Sequence, residues 1–356
     1  MRVIVVGAGL AGLSATESLA AAGVDVILLE AGHRFGGRTR TVSDGYINGQ
    51  YAESGAEWVD SIHWRMLDLM QRFGIKPLGQ PMPWTTIRRW LYWDQAFYTA
   101  ENIATLSPGV FRAIEQYEAL ADSPASGVQD PSRPDLHPEA AYLDSISVAD
   151  LIMQSGLDPV GQLFAGRDSQ GEFASDPENV SSLFVAQQRA FENSEVVKQG
   201  IELLSQRVAG GTGQIAISLG KQLQDSPRIT INFGTRLAAV EQDDSGVVVT
   251  ADGPDGPEKW QADALVLACS LVPLREVDFR TPMPSDFHQA FHNLGYGPIT
   301  KTAVQFETRS WESGYGTTDS ISQRLYDPSV DQTGSSGILM SYCGGDGGHL
   351  LTQYSE

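Results

Sequence analysis

Cysteine is scarce in this chain: two residues, Cys269 and Cys343, among 356. Two thiols cannot supply a disulfide framework, and without a Cys-x-x-Cys pair there is no zinc spacing. The six histidines are scattered and lack the His-Glu-x-x-His arrangement, so no metal site is expected. Basic residues are also few, with 24 Lys and Arg against 44 Asp and Glu and a net charge of −20. So acidic a surface repels nucleic acid and anionic membranes, and neither is an expected partner. No unbroken apolar run of transmembrane length occurs. Met1 leads directly into Val3-Ile4-Val5-Val6 without the basic flank and cleavage site of a signal peptide, and Arg88-Arg89 is internal. These absences leave a cytoplasmic location and a reducing compartment as the expectation.

What is present is an ordinary globular composition, 41% hydrophobic and 19% charged, in a chain long enough for one or two domains. Residues 2–6 form a short β-branched apolar run, as in a strand buried on both faces of a parallel sheet. Gly7-Ala8-Gly9-Leu10-Ala11-Gly12 follows at once, then a helix over Leu13–Ala22 stopped by Gly23, then a second strand over Val24–Leu29 ending in Glu30. This is the β-α-β context that a dinucleotide fingerprint requires. Gly7 permits the tight turn, Gly9 admits a pyrophosphate to the backbone, and Gly12 lets helix and strand pack closely. The helix N-terminus presents unpaired N–H groups to the phosphates, and Glu30 can accept ribose hydroxyls.

The next residues, Glu30-Ala31-Gly32-His33-Arg34-Phe35-Gly36-Gly37-Arg38-Thr39, resemble the extended fingerprint of the flavin-containing amine oxidase family. The resemblance implies FAD as cofactor, held non-covalently, with Ala31, Gly36, Gly37 and Arg38 beside its pyrophosphate and ribityl chain. Glu53-Ser54-Gly55-Ala56-Glu57-Trp58-Val59-Asp60 resembles the segment that passes the isoalloxazine ring, which adds Gly55, Ala56, Glu57 and Trp58 to the cofactor residues. A helix is predicted from about Ile62 to Phe73, ended by Gly74. Farther on, Ala209-Gly210-Gly211-Thr212-Gly213-Gln214 and strands at 229–233, 237–241, 246–250 and 264–269 resemble the second FAD-contacting section. There Leu237 either sets its backbone beside the adenine or fills core.

Other segments are read from their own residues. Trp84, Trp90, Tyr92, Trp93, Phe97 and Tyr98 crowd one region around an Asp94-Gln95 turn, as sheet and core more than as a substrate box. Residues 122–139 read as an irregular connection, and Ser147-Val148-Ala149-Asp150 as a capping box opening a helix. In Asn293–Phe306, alternation puts Lys301 on one face with Ile299 and Ala303. By itself such a lysine marks an edge strand; the resemblance instead implies a catalytic lysine holding a water near flavin N5.

The expected architecture is α/β: a Rossmann-like, doubly wound and discontinuous FAD-binding domain (1–79 and 206–281) with a second α+β substrate domain (80–205 and 282–356). The expected function is oxidation of an amine to an imine by hydride transfer to FAD, with O2 reoxidation yielding hydrogen peroxide. Alternatives are a non-amine FAD oxidoreductase of similar fold, carotenoid desaturase-like or protoporphyrinogen oxidase-like, or a catalytically incomplete FAD-binding fragment. L-Amino-acid oxidases carry an arginine soon after Gly55 for the substrate carboxylate; here Glu57-Trp58-Val59-Asp60 is more similar to polyamine oxidases. Asp60 is accordingly either an anchor for a substrate ammonium or a solvated loop aspartate. The family closes with a further segment covering the flavin that is not recognisable here, so a missing C-terminal segment or chain is expected. Cys343 is read as a packing residue and not as a flavin attachment point.

Overall fold

The computed structural model describes residues 1–311 and 313–354. Ser355 and Glu356, with which the expected substrate domain ends, lie outside the described residues, as does Glu312.

The run at the N-terminus becomes a strand, Arg2–Val6, at the centre of a four-stranded parallel sheet. Its neighbours are Asp25–Glu30 on one side, flanked in turn by Ile229–Phe233, and Ala264–Leu267 on the other. Val3, Ile4, Val5 and Val6 are all buried, because both faces of the sheet are covered. Val3, Val5 and Leu28 pack against the helices Leu10–Ala21 and Gly213–Gln224 through Leu13, Ala216 and Leu219. Ile4, Val6 and Leu29 pack on the opposite side against an antiparallel sheet through Val240, Val249 and Ala251.

That antiparallel sheet runs Gly256–Ala262, Gly246–Gly253, Arg236–Asp243, and the short Asp278–Phe279 joins its far edge in parallel. The strand Gly256–Ala262 was not among the expected strands, and it carries Pro257, Glu258 and Lys259. It lies at an edge, where a proline and charges are tolerated. The first helix begins at Leu10, three residues earlier than expected, with Gly9 as its N-cap. Gly12 therefore sits inside the first helical turns, where a Cβ would come within 1.8 Å of the Gly7 carbonyl oxygen. Close packing, not helix propensity, dictates glycine at that position.

A six-stranded sheet has the order Ile299–Phe306, Gly337–Gly344, Arg324–Tyr326, Tyr315–Thr318, Arg89–Trp93, Ala96–Thr99. Asp94 and Gln95 form its hairpin turn, both with positive φ (47° and 62°). Leu91, Trp93 and Tyr98 pack onto Val160 and Phe164 of the helix Pro159–Phe173, as core. The region 103–199 is helical, and Ser147 and Asp150 form both halves of the capping box on Val148–Gln154. Residues 122–139 contain two single-turn 3₁₀ segments and no strand. A three-stranded sheet of Val59–Asp60, Ser205–Val208 and Pro77–Met82 brings the segments before and after the helical region together. Among the described residues, no helix is long and apolar enough to cross a membrane, and no three His, Cys, Asp or Glu side chains are placed to hold a metal.

Replacing Gly12 by Ala drives a methyl group into backbone that has no rotamer to yield. The expected outcome is a loss of about 1–3 kcal/mol or more, read by urea denaturation of the apoprotein.

Candidate active site

At the C-terminal ends of the parallel strands opens a cavity of about 1050 Å³ that extends to the edge strand Ile299–Phe306. Its volume is at the upper end of ordinary ligand pockets, which run to roughly 1,000 Å³, and suits a large dinucleotide. A smaller hollow of about 520 Å³ lies in the helical region, where the one carboxylate on its wall, Asp122, is paired to Arg189.

One end of the cavity is made of backbone. Gly9 has an ordinary φ of −74°, and a Cβ there would approach no protein atom closer than 3.9 Å. Nothing in the protein itself demands glycine at that position; the cavity beside it does. The second glycine turn closes on the first, with the Gly36 N–H donating to the Ala8 carbonyl at 2.9 Å. Glu30 accepts from the Ala8 N–H through Oε2 and from the Gly32 N–H through Oε1, both at 2.7 Å. Each oxygen keeps lone-pair capacity toward the cavity, whose wall includes Glu30 and Ala31. Leu237 is buried and also lines the cavity, at a point where the ladder with Gly246–Gly253 shifts register between Leu237 and Ala239. It therefore fills core and borders the cavity at once. Arg38 lines the wall and donates from Nη1 to the Tyr296 hydroxyl at 2.7 Å. Cys269 lies on the wall as well; Cys343, expected as a packing residue, is fully buried.

The other end is made by side chains from distant segments. Gly55 and Ala56 line it, pressed on the strip after Gly37: the Ala56 N–H donates to the Arg38 carbonyl at 2.9 Å. Lys301 reaches in from the edge strand and donates from Nζ to the Gly55 carbonyl at 2.8 Å and the Glu53 carbonyl at 3.3 Å. The Tyr342 ring lies 5.4 Å from Nζ. The lysine strand is indeed a sheet edge, yet the Lys301 side chain is only 8% exposed. Burial pulls its ammonium below the ordinary lysine range, against the pull of Glu57 and Glu53 in the opposite direction.

Behind this wall, Gly12, Glu57, Trp58 and Asp60 do not line the cavity. Gly12 supports it by packing. Glu57 is buried and accepts from Arg207 Nε at 2.8 Å and the Tyr326 hydroxyl at 2.6 Å, with Lys301 Nζ 3.6 Å away. Arg207 lies 4.4 Å from the Trp58 ring, whose Nε1 donates to the Tyr315 hydroxyl at 3.1 Å. Tyr315 stacks on Tyr326 at 4.7 Å, which closes the circuit back to Glu57. Asp60 is tied by the Ser205 hydroxyl at 2.6 Å, and its own N–H donates to His63 Nδ1. Sequence reasoning missed Arg207, Tyr296, Tyr326 and Tyr342. No local motif announces them, since each matters through a residue far away in the chain.

The family described as flavin containing amine oxidoreductase matches residues 10–356. An L-amino-acid oxidase of Vipera ammodytes ammodytes is 25% identical over 378 residues, covering 97% of this chain and 71% of the relative. An L-amino acid dehydrogenase of Synechocystis sp. is 25% identical over 366 residues, covering 96% and 72%. Among solved structures, putrescine oxidase bound to putrescine superposes with a TM-score of 0.80 at 23% identity, covering 99% of this chain and 78% of that one. Cyclohexylamine oxidase from Brevibacterium oxydans gives 0.80 at 21% identity, covering 99% and 77%.

The contrast between two glycines is testable. Gly9→Ala is expected to cost the apoprotein no more than about 1 kcal/mol of unfolding free energy, the preference of an N-cap for glycine over alanine, since the added methyl group meets no protein atom. FAD retention, read by absorbance after gel filtration, is expected to fall at least about tenfold if the glycine fingerprint seats the phosphates there, because the methyl group would enter the cavity.

Proposed function

The chain belongs to the flavin-containing amine oxidoreductase family, with FAD as its cofactor, and on that premise we propose that it oxidises an amine that carries no α-carboxylate. Lys301 carries this reading: a nearly buried lysine at the far end of a cavity that begins at paired glycine turns. FAD supplies the acceptor for the hydride that leaves the amine α-carbon, and dioxygen removes the two electrons as hydrogen peroxide while water hydrolyses the imine.

The chain's own residues hold and surround. Glu30 would take the ribose hydroxyls of FAD, the N–H groups at the start of Leu10–Ala21 would meet its pyrophosphate, and the backbone near Leu237 would read its adenine. Gly55 and Ala56 give a flat ring close access to backbone. Lys301 spends two donors on carbonyls, and its third N–H is the group that steadies a water at the reacting end. We assign 1–79 and 206–281 to the FAD-binding domain, because the parallel and three-layered parts draw on those segments. The substrate domain takes 80–205 and 282–356.

The substrate class rests on a cation that is already spent. Arg207 is the guanidinium beside the Gly55–Asp60 stretch, and Glu57 neutralises it at 2.8 Å in a buried site. Paired to Glu57 and absent from the cavity wall, it is not placed to receive a substrate carboxylate. Asp60, tied to Ser205 outside the cavity wall, is not needed for the assignment.

Purified protein loaded with FAD is expected to release peroxide with putrescine or cyclohexylamine and not with L-leucine. Peroxide from L-leucine alone would overturn the substrate class, and failure of every amine to bleach the flavin anaerobically would overturn the function. Lys301→Met is expected to keep FAD and slow reoxidation by oxygen roughly a hundredfold, followed by stopped flow.

A further inference from the structure

Glu57 has no place in the cavity wall, yet it is among the best-held carboxylates in the molecule. Its side chain is 4% exposed, and three groups from three separate strands converge on it: Arg207, Tyr326 and Lys301. Arg207 takes Oε1, and the Tyr326 hydroxyl takes Oε2, the oxygen that also faces Lys301 Nζ at 3.6 Å. Ordinary packing does not need this. A buried ion pair commonly gains little over a hydrophobic replacement, so a carboxylate with a second cation beside it invites a functional account.

We propose that Glu57 is a positioning residue for Lys301, fixing where its side chain sits and keeping it an ammonium at the flavin end of the cavity. The inference rests on the amine-oxidase reading for its purpose, but its physical content does not. The groups that face Lys301 can be named from every side. Glu57 and the carboxylate of Glu53 favour the ammonium, whereas Arg207 disfavours it. The carbonyls of Gly55 and Glu53 accept from it, and the ring of Tyr342 lies beside it. Glu57 is the carboxylate within 4 Å, and Arg207 competes for it from the other side. The circuit through Trp58, Tyr315 and Tyr326 keeps the carboxylate from turning away. Positioning and charge therefore have one source.

The signs follow directly. Lys301 is an ammonium below its own pKa, so losing the Glu57 charge moves its deprotonation to lower pH. Losing the Arg207 charge moves it to higher pH. Trace acetic anhydride labelling of the FAD-bound protein across pH, with Lys301 acetylation quantified by mass spectrometry, reads this midpoint without turnover or oxygen. Glu57→Gln is expected to lower the midpoint by about one pH unit, tenfold in proton affinity. Glu57→Asp is expected to recover more than half of that shift, and Arg207→Gln to shift the midpoint upward. The high-pH limb of flavin reoxidation should follow the Glu57→Gln shift. An unchanged midpoint in Glu57→Gln overturns the proposal, as does movement of Glu57→Gln and Arg207→Gln in the same direction, which is what loosened packing would give. If wild type oxidises no amine while the labelling shifts hold, the functional reading fails and the Glu57–Lys301 coupling stands.

Discussion

A carboxylate taken out of water costs several kcal/mol unless charged and hydrogen-bonded partners meet it. Glu57 imposes that requirement on the whole molecule. Its partners lie on Ser205–Val208, Ile299–Phe306 and Arg324–Tyr326, strands of two different sheets. The sheets can therefore meet in few ways that leave the acid satisfied. Removing one partner while keeping the acid would cost about 3–5 kcal/mol by the same accounting. The partners are themselves held by aromatic contacts, Arg207 on Trp58 and Tyr326 on Tyr315, so the constraint spreads outward from one side chain.

A second buried acid works with it. Glu53 takes the N–H and hydroxyl of Thr212, where the helix Gly213–Gln224 begins, and the hydroxyl of Thr41. The helix end offers unpaired N–H groups, and an acid from far upstream satisfies them. Glu53 and Glu57 thus anchor the two ends of a five-residue stretch whose middle, Gly55-Ala56, lines the cavity. Lys301 bonds to that same stretch through the carbonyls of Glu53 and Gly55. The backbone facing the cavity is held from both ends and across its middle. That rigidity is what a flat ring needs from a surface against which it must keep one orientation.

The two ends of the cavity differed in how far the sequence disclosed them, for a physical reason. Gly7, Gly9, Glu30 and Gly36 belong to the contiguous β-α-β unit and the turn that follows it, so a short stretch of sequence encodes their geometry. Their arrangement was legible, apart from the first helix starting at Leu10. Lys301 was legible only through its resemblance to a family, since alternation in Ile299–Phe306 marks its face but not what lies opposite. Arg207 and Tyr326 were not legible at all. Each is an unremarkable residue in a short strand, and its meaning comes from Glu57 across 150 and 269 residues of chain. Glu57 and Trp58 were read as cofactor neighbours. The structure puts them one layer behind, where Arg207 and Tyr326 hold the Glu57 carboxylate and Tyr315 holds the Trp58 ring nitrogen.

The margin on Lys301 explains why such a layer is needed. At 3.6 Å, and an effective dielectric near 20, the attraction between Glu57 and Lys301 amounts to roughly 4–5 kcal/mol. The cost of burying an ammonium is of the same order, several kcal/mol, and Arg207 adds repulsion. Burial has the edge, which is why the Lys301 pKa is displaced downward. A charge balanced this closely depends on whatever occupies the cavity: an apolar occupant that displaces water favours the neutral amine, whereas negative charge delivered to the cavity favours the ammonium. A lone lysine on an edge strand would have neither response, since solvent would hold it charged in every state. Burying Lys301 makes its charge responsive, and Glu57 keeps that responsiveness from becoming outright loss of the proton.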